Sequence, residues 1–224
     1  MQPRLVEVRR NVLKHNDVLA ADLRRRFAEA NVFVASLVSS PGTGKTEFLE
    51  KTLTLLRPAA RVAALVGDLA TANDAIRLER SGVPVRQITT GTICHLEAQM
   101  IDTAMANWDL NDLDVLFIEN VGNLVCPSSY DLGEALRIVM MSVTEGEDKP
   151  LKYPTIFNTA DVAVITKMDL AAAAEFDLEM ARASIEAVRP GIDIIEVSAK
   201  TGFGMDRWIE YLNSQTKTSA AAAA

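Results

Sequence analysis

Apolar residues are distributed along this chain in two distinct ways. Short, nearly unbroken apolar runs occupy residues 32–38, 61–67, 83–88, 113–118, 136–143, 162–165 and 192–197. They are rich in Val, Ile and Leu, the composition of strands buried on both faces of a sheet. Between them, apolar positions recur at helical spacing. Leu5, Val8, Val12, Leu19, Leu23 and Phe27 predict a charged amphipathic helical segment over 5–30, in which Asn16 and Asp17 either break the helix or cap a second one. Further helices are predicted over 47–56, 72–80, from His95 to Asn107, and over 205–212. Residues 145–153 are polar and read as a surface loop. Strands alternating with helices predict an α/β fold: a mostly parallel sheet of about seven strands with helices on both faces. The expected organisation is a helical segment at 1–30 packed on a domain spanning 31–215, followed by a low-complexity tail at 216–224.

Composition narrows the field. The chain has 224 residues, of which 49% are hydrophobic, enough for one sizeable core. A net charge of −7 with no long basic block argues against nucleic-acid binding. No apolar run reaches membrane-spanning length and the N-terminus lacks a signal-peptide core, so a cytoplasmic protein with no membrane partner is expected. In that reducing compartment Cys94 and Cys126 are expected to be thiols or metal ligands rather than a disulfide.

The chemistry begins after the first strand. Ser39-Ser40-Pro41-Gly42-Thr43-Gly44-Lys45-Thr46 fits the phosphate-binding template G-x-x-x-x-G-K-[ST] except at its first position, where Ser39 stands for Gly. A strand feeding such a turn and a helix aims unpaired N–H groups at one point, and the helix dipole favours an anion there. Lys45 adds a point charge, Thr46 a hydroxyl for Mg²⁺, and Glu47 opens the helix. Two acids end strands. Asp68 is a candidate for Mg²⁺ or the attacking water, or alternatively a helix cap. Glu119 opens Glu119-Asn120-Val121-Gly122, where P-loop GTPases carry Asp-x-x-Gly. Thr166-Lys167-Met168-Asp169 has the pattern of the guanine-reading Asn-Lys-x-Asp, with Thr in the Asn position. Ser198-Ala199-Lys200 has that of the turn supporting the guanine oxygen. In this order after a phosphate loop, the set predicts a P-loop GTPase that turns GTP into GDP. Lys45, Asp68 and Glu119 are its catalytic candidates. No Gln follows Gly122, so slow intrinsic hydrolysis is expected. Cys94 and His95 are adjacent, and Cys126 lies four residues past Gly122. Thiolate and imidazole suit Zn²⁺ and Ni²⁺. Taken alone, these residues read first as two small buried thiols and a capping or buried histidine, with the metal site as the alternative.

From Asn16 onward the chain resembles the nickel-insertion GTPases of NiFe-hydrogenase maturation, the HypB family. The resemblance rests on Ser39 to Thr46, Gly67-Asp68, Gly91 to Ala98, Glu119 to Pro127, Thr166 to Asp169 and Ser198 to Lys200. The most specific stretches are those around Cys94-His95 and from Glu119 to Pro127. The related urease accessory GTPase has Cys-Pro-His, and this chain has Cys94-His95 with no Pro between. The resemblance implies a SIMIBI-class GTPase that forms a GTP-dependent homodimer. It implies a Ni²⁺ or Zn²⁺ site at the dimer interface from Cys94, His95 and Cys126. It implies a small nickel-binding chaperone as partner, serving the hydrogenase large subunit. Some members carry a Cys-rich or His-rich nickel stretch near the N-terminus. None occurs in these 224 residues, so no such store is expected. The rival readings are a metal-independent regulatory GTPase, an ATP user of the same loop class, and a nucleotide-gated scaffold.

Overall fold

In the computed structural model, residues 4–69 and 73–223 are described. The helix predicted to start at Ala72 therefore has its first residue outside them, as do Ala224 and the side chains of Leu5 and Val8. The elements are α1 (Arg4–Glu29), β1 (Phe33–Ser39), α2 (Lys45–Leu56), β2 (Val62–Asp68), α3 (Asn73–Glu79), β3 (Val85–Thr89), α4 (Ala98–Met105), β4 (Val115–Glu119), β5 (Leu136–Ser142), α5 (Lys149–Lys152), α6 (Pro154–Asn158), β6 (Val162–Thr166), α7 (Leu178–Val188), β7 (Asp193–Glu196) and α8 (Met205–Ala223).

The seven apolar runs form one seven-stranded sheet in the order β3-β2-β4-β1-β5-β6-β7. Every pairing is parallel. Because side chains alternate along a strand, each run supplies both faces. Phe33, Ala35, Leu37, Ala64, Val66 and Phe117 point to one face, covered by Phe48, Leu49 and Leu53 of α2 and by Trp208 and Leu212 of α8. On the opposite face Val34, Leu65, Leu116 and Ile118 meet Leu23 and Phe27 of α1 and Ile101 and Met105 of α4. Farther along that face Val139, Met141, Ala163 and Ile165 meet Ile156 and Phe157 of α6 and Ile185 of α7. Burial on both sides is why the strands read as continuous apolar runs and not as alternations.

β1 is central. The chain steps from β1 to β2 on one side, returns through β4, and crosses to β5 on the other. Ligands of open parallel sheets bind beyond the carboxyl ends of the strands where such a reversal occurs. Ser39, Asp68, Glu119 and Thr166 are the last residues of β1, β2, β4 and β6, so all four reach that edge.

Several local expectations are corrected. α1 passes through Asn16 and Asp17 without a break. α4 starts at Ala98, not His95, and ends at Met105. Within the stretch 145–153 expected to be a loop, Lys149–Lys152 form the short helix α5, and α6 at Pro154–Asn158 was not anticipated. α7 was not anticipated, although Asp177 caps it by accepting from Met180 N at 3.0 Å. α8 runs on to Ala223 through the low-complexity residues.

Candidate functional site

Two joined cavities and one side-chain cluster occupy the carboxyl edge of the sheet. The first cavity, about 440 Å³, carries several charged side chains and is framed by Pro41, Gly42, Gly44, Lys45, Thr46, Glu47, Asp68, Glu119, Gly122 and Lys167. Gly42 and Gly44 have φ of 76° and 98°, which lets the loop wrap back on itself at the start of α2. Ser39 has a use in the first template position: its hydroxyl accepts from Lys45 Nζ at 3.1 Å and donates to Ser40 O at 2.7 Å. Thr46 Oγ1 donates to Glu119 Oε1 at 2.8 Å. Glu119 Oε2 is buried and accepts no hydrogen bond. Burial pushes the Glu119 carboxyl up to about 7, against the opposing pull of Lys45 and Thr46. Burial likewise holds the Lys45 ammonium below its ordinary value, resisted by the Glu119, Asp74, Glu145 and Asp68 carboxylates. A buried acid with an unmet oxygen beside a hydroxyl is a site that a divalent cation completes.

The second cavity, about 200 Å³, is a narrower slot. Phe48, Leu170 and Val197 give it apolar walls, and Thr43, Gly44, Glu47, Thr166, Lys167, Asp169, Ser198, Ala199 and Lys200 complete its lining. Lys167 sits at φ 58°, in the left-handed region, and its Nζ donates to Gly42 O at 2.6 Å, so its stem bridges the two cavities. Asp169 Oδ1 accepts from Ser198 Oγ at 2.7 Å, which joins the two base-reading motifs into one unit. Thr166 Oγ1 donates to Thr43 O at 2.7 Å, tying β6 to the loop after β1.

The cluster is Cys94, His95 and Cys126. Their ligand atoms all lie within 4.8 Å of one another, and among the described residues they form the one such group of three. The sulfurs are 2.9 Å apart and no disulfide joins them. Cys94 and His95 belong to the irregular stretch between β3 and α4, and Cys126 opens a short 3-10 turn, Cys126–Ser129. The two stretches are pinned together. Leu96, fully buried, sits where a side chain on Gly67 would be; a Cβ there would come within 2.9 Å of it. Leu96 N donates to Asn120 Oδ1 at 3.1 Å, and Asn123 Nδ2 donates to Cys94 O at 3.2 Å. Gly122 abuts the loop after β1 so closely that a Cβ would stand 3.0 Å from Pro41 Cα. The Tyr130 ring lies against His95, with centroids 3.9 Å apart.

The CobW/HypB/UreG nucleotide-binding domain matches residues 33–196. The hydrogenase maturation factor HypB of Escherichia coli (strain K12) is 48% identical over 214 residues, covering 96% of this chain and 74% of that one. Its counterpart in Azotobacter vinelandii is 46% identical over 217 residues, 97% of this chain and 72% of that one. The chain belongs to the HypB family of hydrogenase maturation factors. Two HypB crystal structures superpose on it closely. The Helicobacter pylori protein in complex with nickel gives a TM-score of 0.87 at 40% identity, over 92% of this chain and 97% of that one. The Archaeoglobus fulgidus protein gives 0.84 at 38% identity, over 91% and 99%. A signal recognition particle protein from Aeropyrum pernix, in complex with GDP, shares the fold at a TM-score of 0.57 and 14% identity, over 86% of this chain and 49% of that one.

All the site residues expected from sequence fall in the cavities or the cluster of this HypB-family chain. Sequence reading passed over the residues that hold them in place. Asn16, Asn120, Asn123 and Glu145 act through hydrogen bonds to partners far along the chain, and Ser39 and Glu97 act on near neighbours, Lys45 and His95. Glu145 Oε2, for example, accepts from Thr43 Oγ1 at 3.0 Å across 102 residues. The stretch from Glu119 to Pro127 was marked in the sequence, but Asn and Gly are ordinary turn residues, so the anchoring roles of Asn120 and Asn123 could not be read from it.

Proposed function

We propose that this chain is a GTP-hydrolysing metallochaperone that delivers nickel during maturation of NiFe hydrogenase, and that its nucleotide state governs metal release. One observation carries the reading. The same short segment, residues 120–126, starts beside Glu119 in the first cavity and ends on the sulfur that meets Cys94. The nickel complex of the H. pylori relative and the maturation role named for the relatives support the cargo and the pathway.

In this reading the N–H groups of residues 41–46 and the Lys45 ammonium bind the phosphates of GTP. The guanine enters the slot, covered by the Lys167 stem and read by Asp169, with Ser198, Ala199 and Lys200 at its oxygen and Thr166 bracing the slot's floor. Thr46, Asp68 and Glu119 would hold Mg²⁺, which when bound neutralises phosphate charge. The Glu119 oxygen without a partner fits that use. Glu47 and Gly122 border the terminal phosphate. Orientation and fixed charge then do most of the catalysis, and with Asn123 standing after Gly122 the intrinsic rate is slow.

Cys94, His95 and Cys126 take Ni²⁺ or Zn²⁺ as cargo. Three ligands leave a coordination position open, which suits a metal that must be handed on. A second copy of the chain can close the site while GTP is bound. The recipient is a small nickel-binding chaperone and, through it, the hydrogenase large subunit, all in the cytoplasm. Sedimentation velocity with GTPγS, with GDP and without nucleotide, each with and without Ni²⁺, tests the scheme. A dimer favoured by GTPγS and reinforced by Ni²⁺ is expected. An identical distribution in all six conditions would remove the scheme's physical basis.

A further inference from the structure

We propose that His95 meets the metal through Nδ1, and that Glu97 is the positioning residue that sets this by accepting a hydrogen bond from Nε2–H. The inference rests on reading Cys94, His95 and Cys126 as the metal site, and it specifies how one ligand of that site is held.

Three observations converge on it. His95 Nδ1 is buried and has no hydrogen-bond partner, while Nε2 lies 3.3 Å from Glu97 Oε1. An ionised carboxylate only accepts, so the ring proton belongs on Nε2 and the lone pair on Nδ1. A buried polar atom left unmet costs about 1–3 kcal/mol, and a metal shared with two thiolates relieves it. The reverse assignment would put the metal on Nε2 and leave an Nδ1–H buried with nothing to receive it.

The second observation is the way α4 begins. Glu97 occupies its N-cap position, with φ −121° and ψ 155°, yet its side chain makes no capping bond. An acid there ordinarily accepts from the first free N–H groups of the helix. The first N–H of α4 is met from another helix instead: Asn16 Oδ1 of α1 accepts from Ala98 N at 2.9 Å. The Glu97 carboxylate makes no bond to the helix and instead lies against the imidazole. The third observation is the Tyr130 ring, tilted 30° against the His95 ring, which fixes the imidazole plane from the other loop. Glu97 stands outside the group whose ligand atoms gather within 4.8 Å, so it acts on the metal through His95. A carboxylate behind a ligating histidine fixes its tautomer and raises its basicity.

The chain has two histidines, His15 and His95, so histidine-selective ¹⁵N labelling of the full chain gives a direct readout. Long-range ¹H–¹⁵N correlation on the Zn²⁺-loaded protein is expected to show His95 protonated at Nε2 and metal-bound at Nδ1. The exposed His15 serves as the unligated reference. Glu97→Ala is expected to weaken Zn²⁺ and Ni²⁺ affinity roughly 10–100-fold and to mix the two ring patterns. Glu97→Gln, whose amide oxygen still accepts, keeps the Nδ1 pattern with a smaller loss. GTP affinity measured without metal stays unchanged in both, which separates positioning from misfolding. Zinc on Nε2 of the wild type, or wild-type affinity and ring pattern in Glu97→Ala, overturns the inference and leaves the metal site standing. No Zn²⁺ or Ni²⁺ bound by the wild type overturns both.

Discussion

Glu119 is fully enclosed at the end of β4, with Oε1 met by the Thr46 hydroxyl and Oε2 by nothing. The acid titrates near 4.5 when free and near 7 in the fold, because burial penalises its charged form more than Lys45 and Thr46 favour it. The folded state therefore holds this proton more tightly than the unfolded chain does. The contribution to stability is complete below pH 4.5 and is lost as pH rises through about 7, where a buried carboxylate must exist without a full set of partners. In nucleotide-free, Mg²⁺-free protein, the urea midpoint should fall more steeply between those limits for the wild type than for Glu119→Gln. Parallel profiles would show that Glu119 does not titrate there. Mg²⁺ with GDP should flatten the wild-type profile by supplying the missing partner. A site tuned in this way is less stable empty than filled, which is a common condition of binding sites.

α1 and α4 show what was legible in the chain and what was not. The seven strands were legible because each is buried on both faces, so composition alone marks it. The ligand-bearing loops were legible because short motifs place particular atoms at strand ends. Asn16 was not. From sequence it reads as a helix breaker or cap, since asparagine competes with the backbone for hydrogen bonds. In the fold it lies inside α1, buried, and caps a different helix. Its Oδ1 accepts from Ala98 N at 2.9 Å, and its Nδ2 donates to Asp131 O at 2.8 Å. Those partners are 82 and 115 residues away, so no local pattern could reveal them. The late start of α4 has the same kind of cause. Leu96 is drawn into the core over Gly67 and its N–H is taken by Asn120, which leaves His95 and Glu97 no helical geometry to adopt. The misread stretch at 145–153 is similar: Glu145 looks like a solvated charge but supports Thr43 in the loop after β1. Asn16→Leu strands one buried N–H and one carbonyl, so it should lower stability by roughly 2–3 kcal/mol. It should also speed hydrogen exchange at Ala98 ahead of the rest of α4. A loss below roughly 0.5 kcal/mol, the range of ordinary surface changes, would mean that water replaces both bonds and that α1 is not what holds α4 in place.

The two cavities and the metal cluster open on one edge of one sheet, and residues 120–126 belong to all of that edge. Gly122 touches Pro41, Asn120 holds the backbone beside His95, Asn123 holds the backbone of Cys94, and Cys126 supplies the third ligand. A nucleotide that shifts this segment shifts one ligand and the anchors of the other two together. The two asparagine bonds are worth about 0.5–1.5 kcal/mol each, together about 1–3 kcal/mol. That equals the usual coupling between linked sites, roughly 5–150-fold in affinity, so two side chains of this kind are enough to carry the signal. Linkage makes the idea strict. If GTPγS in place of GDP changes Zn²⁺ affinity by some factor, Zn²⁺ must change the preference for GTPγS over GDP by the same factor. Calorimetric titration around that four-state cycle should give equal factors of roughly 5–150-fold for the wild type. In the Asn120→Ala, Asn123→Ala double variant both ligands should still bind, while the factor falls toward one. A wild-type factor of one would remove nucleotide control of the metal from the account. A double variant that keeps the wild-type factor would leave Cys126, the ligand carried by residues 120–126 themselves, as the connection to the metal.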